Sequence, residues 1–220
     1  MNLRLLLILP LLLASCSSLP EIRPSAVVAG KVIACPSPFV ARKTLFIHAV
    51  EAAAAGETRA VMIGVTVADP ASRTLSCALM SPEGMVLFEA SRNPSGIQIS
   101  RALPPFDEEE FARGLLDDIE LIFFEPPEPV DRAGFSDTGR FVCRRRLQGG
   151  GWLDVGKDGD GRVQIRRYSK GGTLRRSVAL AAGANPYAAI ELQASEWIGY
   201  SLSMTLVEPE AVLDEALSGK

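Results

Sequence analysis

The hydrophobic pattern along this chain has a period of two over its first half, changes once to a helical period, and then returns to two. Over 73–90 the alternation predicts a hairpin. Leu75, Cys77 and Leu79 alternate with Thr74, Ser76 and Ala78, as a pleated strand requires. Ser81-Pro82-Glu83-Gly84 supplies the turn, with Pro82 presetting φ and Gly84 accepting a positive one. The return strand, 85–90, is apolar on both faces, with Met85 and Leu87 on one and Val86 and Phe88 on the other. A solvated antiparallel sheet needs only one apolar face, so something is expected to cover the second.

Upstream, 45–52 and 60–68 read as strands joined by a loop over 53–58. In the second of them Val61, Ile63, Val65 and Val67 share one face, Gly64 and Thr66 the other. Asn93-Pro94-Ser95-Gly96 turns the chain into a short strand around Ile97 and Ile99, so 45–100 forms a meander of about five strands. The period then changes. Phe111, Leu115, Ile119 and Ile122 form a helical stripe, broadened by Leu116 and Phe123, over 107–123. Asp107 and Glu110 have capping-box spacing, and Pro126-Pro127 forbid continuation. Such a helix either packs on the sheet as core or lids a cavity in it. Strands follow near 140–147, 151–155, 162–168, 173–180, 187–193 and 198–207, with one short helix over 210–217.

Composition narrows this little: 220 residues, 47% hydrophobic, suffice for one globular core, and a net charge of −3 does not point to nucleic acid. The local balance says more, because 131–180 holds twelve Lys/Arg against five Asp/Glu. On strands such charge reads as a solvated outer face; the alternative is a basic surface near anionic headgroups. The leader decides the expected compartment. Arg4 followed by the apolar run 5–13 has signal-peptide form and is short for a membrane span. It ends in Leu13-Ala14-Ser15-Cys16, which resembles the bacterial lipobox. By that resemblance 1–15 is removed and Cys16 carries acyl chains as a stable anchor. Ser17, where an inner-membrane retention signal places Asp, favours the periplasmic face of the outer membrane. Proline-punctuated 16–38 reads as tether, with an apolar run over 27–34 that forms a first strand or packs along an edge; 39–208 reads as the β domain and 209–220 as tail.

Three cysteines remain beyond Cys16, an odd number for an oxidising compartment. Cys77 lies on the apolar face of its strand and reads as a small core hydrophobe; Cys35 with Cys143 is the pairing to entertain. Candidate chemistry is sparse. The run 154–161 has Gly156 at the third position, where an EF-hand loop needs an oxygen ligand, and Ile165 at the twelfth in place of Glu. His48 has no nucleophile motif beside it, Gly149-Gly150-Gly151 lacks phosphate-loop spacing, and Asp117, Asp118 and Glu120 read as a solvated helix face. No catalytic constellation, metal site or cofactor motif is expected, so the chain reads as a non-enzyme.

The layout resembles the outer-membrane lipoprotein family LolB. The resemblance rests on the lipidated cysteine, on Leu79-Met80-Ser81-Pro82-Glu83-Gly84 with Leu87 and Glu89, and on Arg166-Tyr168-Ser169. It extends to Ala189-Ile190-Glu191-Leu192 and the 200–206 strand. The chain is similar, too, to a family of LolB-like lipoproteins often encoded beside aryl-polyene or fatty-acid-type synthesis genes. That likeness is carried by Leu115-Leu116-Asp117-Asp118-Ile119 and Gly199-Tyr200-Ser201-Leu202.

The strands read from the pattern total about eleven, and the resemblance implies that they form a mainly antiparallel, incomplete, half-open barrel. It also implies an amphipathic lid helix and an apolar cavity that receives an acyl-type or lipoprotein lipid chain. Candidate lining residues are Val61, Ile63 and Val65 on one strand, Leu75, Leu79 and Leu87 on the hairpin, and Phe111, Leu115 and Ile119 on the helix. Two departures separate it from membrane inserters: the 52–58 loop carries no large apolar tip, and Glu83 charges the hairpin turn. The expected role is carriage or localisation of a hydrophobic ligand in the envelope. A non-catalytic scaffold docking an export or synthesis complex is the alternative.

Overall fold

The computed structural model describes residues 19–25, 27–28, 31–54, 60–195 and 199–213; Cys16 and the leader lie outside them. In chain order the strands of the N-terminal half are β1 (Ile22–Pro24), β2 (Val27–Val28), β3 (Lys31–Val32), β4 (Thr44–Ala54), β5 (Ala60–Asp69), β6 (Thr74–Met80), β7 (Val86–Asn93) and β8 (Gly96–Ala102). Helix α1 (Glu109–Phe123) follows. The rest are β9 (Val130–Ser136), β10 (Phe141–Arg146), β11 (Trp152–Lys157), β12 (Val163–Tyr168), β13 (Leu174–Leu180), β14 (Ala189–Ala194), β15 (Tyr200–Leu206) and β16 (Ala211–Val212). All but β2 and β3 belong to one sheet of 14 strands, in the order β1-β9-β10-β11-β12-β13-β14-β15-β4-β5-β6-β7-β8, with β16 beside β4. Antiparallel pairing runs throughout, and the ends, β1 and β8, do not meet. The fold is an open barrel with one helix laid across it.

Register decides which side chains face the helix. Phe46 opposes Thr66 and Thr66 opposes Cys77, while Gly64 opposes Leu79 and Leu79 opposes Phe88. The inner face of β4 to β7 is therefore Phe46, His48 and Val50, then Met62, Gly64 and Thr66, then Leu75, Cys77 and Leu79, then Phe88 and Ala90. The other half contributes Leu153, Val155, Ile165, Val178, Leu180, Ile190 and Leu192, all buried in the same core as Leu116, Ile122 and Phe123 of the helix. Each large side chain so buried contributes about 1.5–3 kcal/mol. Phe46 stacks on Phe123 at 4.6 Å and meets Tyr187 edge-on at 4.9 Å. His48 is buried beside them, its Nε2–H donating to the Tyr187 carbonyl at 3.1 Å, and burial lowers its pKa.

Several expectations are corrected. The segment expected as tether is folded where it is described: β1 pairs with β9, with Arg23 opposite Phe135 and Pro24 opposite Gly134. A Cβ at Gly134 would sit 2.0 Å from the Arg23 carbonyl oxygen, so only glycine lets the N-terminal strand lie there. Further on, the cysteine pairing entertained from the sequence is made, a disulfide between Cys35 and Cys143; Val40 donates its N–H to the Phe123 carbonyl at 3.0 Å, and the Tyr187 hydroxyl donates to the Pro38 carbonyl. The run 33–40 thus closes the barrel interior beyond the helix. Cys77 is the free thiol among the described residues, buried, with burial pushing it up to about 12. The helix starts at Glu109 with Glu108 as its N-cap and no side-chain cap, so Asp107 does not cap it. At the C-terminus Ala211 and Val212 pair with Leu45 and Thr44 as a strand instead of opening a helix; 214–217 lie outside the described residues.

Candidate functional site

The apolar stripe of α1 divides in two. Its C-terminal half, with Leu116, Ile119, Ile122 and Phe123, is packed into the core. Its N-terminal half, where Ala112 alone is fully buried, roofs a hollow of about 460 Å³. Phe111, Gly114 and Leu115 of the helix face Val50 and Ala52 of β4, Met62 of β5, Leu79 of β6 and Leu202 of β15, with Phe106 at the helix entry. Ala52, Ala54 and Ala60 leave room that larger side chains would fill. Exposed Ala54, Ala60 and Glu110 mark the open end; buried Val50, Met62 and Asp118 mark the closed one. The size suits a small hydrophobic ligand.

One polar group interrupts the apolar wall. Asp118 falls seven residues after Phe111 and three after Leu115, hence on the inner stripe and not on the solvated face expected of it. Arg176 donates from Nε to its Oδ1 at 2.7 Å, and the Tyr200 hydroxyl donates to its Oδ2. The guanidinium also lies over the Tyr200 ring, 5.5 Å from its centroid. Burial raises the Asp118 pKa, against the opposing pull of Tyr200 and Arg176. Asp117 and Glu120 are engaged as well: Arg92 meets Asp117 at 2.7 Å and Glu120 at 3.1 Å. Arg73 meets Glu120 at 2.6 Å and donates to the Glu125 carbonyl at 2.8 Å. The helix is held by ions from its third turn onward, and its first two turns by aromatic contact, Phe111 with Phe88 at 5.7 Å and with Phe106 at 5.1 Å.

Of the residues expected to line the cavity, Leu79, Phe111 and Leu115 do so. Leu75 and Ile119 are buried in the packed core beyond it. Val61, Ile63 and Val65 lie on the opposite face of the sheet, Val61 half exposed, because Met62, Gly64 and Thr66 are the members of β5 that point inward. The more hydrophobic face of that strand is its outer one. Phe88, opposite Leu79, and Ala90, opposite Cys77, are the inward members of β7, and Leu87 has the other parity. Strand parity does identify Arg176: it shares a face with Val178 and Leu180, which only a buried arginine with a partner could do.

The basic region is not a uniformly solvated face either. Arg144 and Asp154 are buried together as a two-bonded pair at 2.7 Å, Arg145 reaches Glu125 at 2.6 Å, and Arg140 reaches Asp158 at 2.8 Å. A larger hollow of about 580 Å³ lies on the outer face between 19–22 and β9 to β12, lined by Arg144, Asp154, Arg140 and Asp158 with Arg166 and Tyr168. Most of its ions already satisfy one another, and it offers no continuous apolar wall. The hollow under α1 is the candidate site. No helix among the described residues is long and apolar enough to cross a membrane, and none of their His, Cys, Asp and Glu side chains cluster as metal ligands.

No family model and no curated protein matches the chain. Among solved structures it is similar to the crystal structure of a LolA superfamily protein from Nitrosomonas europaea, with a TM-score of 0.51 and 10% identity. The match covers 80% of this chain and 89% of that one. At that identity the likeness is one of fold: an open, antiparallel LolA-like barrel with a helix across its inner face.

Proposed function

We propose that this chain is an envelope carrier that holds an acyl chain, or another hydrophobic chain, in the hollow beneath α1. The observation that supports this most directly is the hollow itself, walled by Val50, Met62, Leu79, Phe106, Phe111, Leu115 and Leu202 and open at one end. An apolar space of this kind inside a packed protein forgoes the contacts its lining would otherwise make, unless a ligand fills it. The reading extends to the leader: Cys16 carries the acyl anchor, and the barrel works at the periplasmic face of the outer membrane. Native mass spectrometry of membrane-extracted protein, with fluorescent fatty-acid displacement, tests the carrier role. Protein that emerges ligand-free and displaces no probe refutes it. Labelled-palmitate incorporation tests the anchor, and a Cys16→Ala chain that still fractionates with membranes refutes that part. A scaffold role draws on the exposed edge strand β8, where Ile97 and Ile99 stand in solvent. Specific loss of a partner complex on Ile97→Lys, with acyl binding intact, favours it.

A further inference from the structure

We infer that the hollow takes one acyl chain of about fifteen carbons, a single-chain amphiphile, and not the three chains of a lipoprotein lipid; this rests on the carrier reading above. Two independent observations lead there. The first is volume. A methylene takes about the room of a water molecule in the liquid, roughly 30 Å³, so 460 Å³ accommodates about fifteen. Three chains of sixteen carbons need roughly 1,400 Å³ by the same measure. The surroundings do not yield the difference. Leu116, Ile122, Phe46 and Phe88 are fully buried around the closed end, and Asp118 with Arg176 and Tyr200 bars that wall to a further apolar chain, because burying methylenes against an ion pair gives it no hydrogen bond in return.

The second observation is Gly114. A glycine inside a helix is less favourable than alanine, through backbone entropy. Where such a residue is required by packing, a Cβ would strike a neighbour. At Gly114 an added Cβ meets nothing within 4 Å, although the residue lines the hollow. The missing side chain makes room for no part of this protein. It leaves space in the hollow, and one chain lying along Phe111, Gly114 and Leu115 uses that space.

The full chain, delipidated and refolded, is titrated with saturated fatty acids of 8 to 20 carbons and with a synthetic triacylated lipopeptide. Binding is read by displacement of a fluorescent acyl probe and stoichiometry by native mass spectrometry. Affinity is expected to rise about fourfold per added methylene and to level off near fifteen carbons, at one chain per protein. The lipopeptide binds at least a hundredfold more weakly than the best single chain. Gly114→Leu adds four carbons of protein to the hollow, so its plateau falls to about eleven carbons; Gly114→Ala moves it by about one. Leucine is the better helix former, so the variant folds, and circular dichroism confirms it. Tight one-to-one lipopeptide binding, affinity still climbing at 20 carbons, or an unmoved plateau in Gly114→Leu overturns the single-chain inference and leaves the carrier reading in place. Failure of folded wild-type protein to bind any probe overturns both.

Discussion

Asp118 is the residue at which the energetics of this fold are most open to test. Its carboxylate and the Arg176 guanidinium are both about nine-tenths buried or more, 3% and 10% exposed as side chains, and joined at 2.7 Å. Burial outweighs the attraction at the carboxyl, since its pKa is raised despite the partner. The pair is therefore not in itself a large source of stability. Removing one half is a different matter: Asp118→Ala withdraws the carboxylate from a guanidinium that stays buried, and such a change costs about 3–5 kcal/mol. For a chain of this length each kcal/mol moves the melting temperature by about 2–4 °C, so the variant is expected to melt roughly 6–20 °C lower. Urea unfolding followed by circular dichroism at pH 7 measures the loss. The decisive control is Asp118→Leu with Arg176→Met, which removes both charges and leaves apolar side chains of similar size. It should lie within about 1 kcal/mol of wild type or above it. An Asp118→Ala protein within about 1 kcal/mol of wild type, or a double variant as unstable as the single, refutes the reasoning.

Two further outcomes are expected. The disulfide closes a loop of 108 residues, so replacing Cys35 and Cys143 by serine should lower stability by about 2–5 kcal/mol; denaturant midpoints that coincide with and without a reductant that opens the bond contradict this. The pH profile should carry two opposite slopes. Burial lowers the His48 pKa from its ordinary 6.5, so the unfolded chain binds that proton more readily, and stability falls as pH drops through 6.5 toward the folded value. For Asp118 the folded value is raised above the ordinary 3.8. Its contribution is fully present below 3.8 and is lost as pH rises through the folded value, so wild type gains on Asp118→Asn as pH falls from neutrality. Unfolding free energies from pH 4 to 8 for wild type, His48→Gln and Asp118→Asn check both signs; parallel curves contradict them.

The strands and the helix were legible because period-two and period-3.6 patterns are local, and β4 to β8 with α1 carry them strongly. The shorter elements were not. β9 has the sequence Val-Asp-Arg-Ala-Gly-Phe-Ser, too polar to declare a strand, and it exists because β1 and β10 pair with it on both sides. β1 is three residues long and depends on Gly134 a hundred positions away. Non-local pairing of that kind leaves no trace in the short segment it recruits. The open barrel could be anticipated from the order of elements; its actual edges could not.

The cavity was harder to read than the fold because inwardness and hydrophobicity part company on β5. Its more apolar side, Val61 to Val67, faces away from the helix, while the inner side carries Met62, Gly64, Thr66 and Ala68. The flanking strands crowd that inner side: a Cβ at Gly64 would lie 3.0 Å from Val50 of β4 and 3.7 Å from Leu79 of β6, and small residues are what such contact permits. Reading the largest hydrophobes as the lining therefore inverts the strand. The same logic separates the two halves of the helix. Where the facing strands present Leu75, Phe88 and Phe46, large side chains meet and the space is filled. Where they present Ala52, Ala54 and Ala60, and the helix presents Gly114, they do not meet and a hollow remains. In this chain the small residues that face one another, more than the large ones, mark where a ligand would lie.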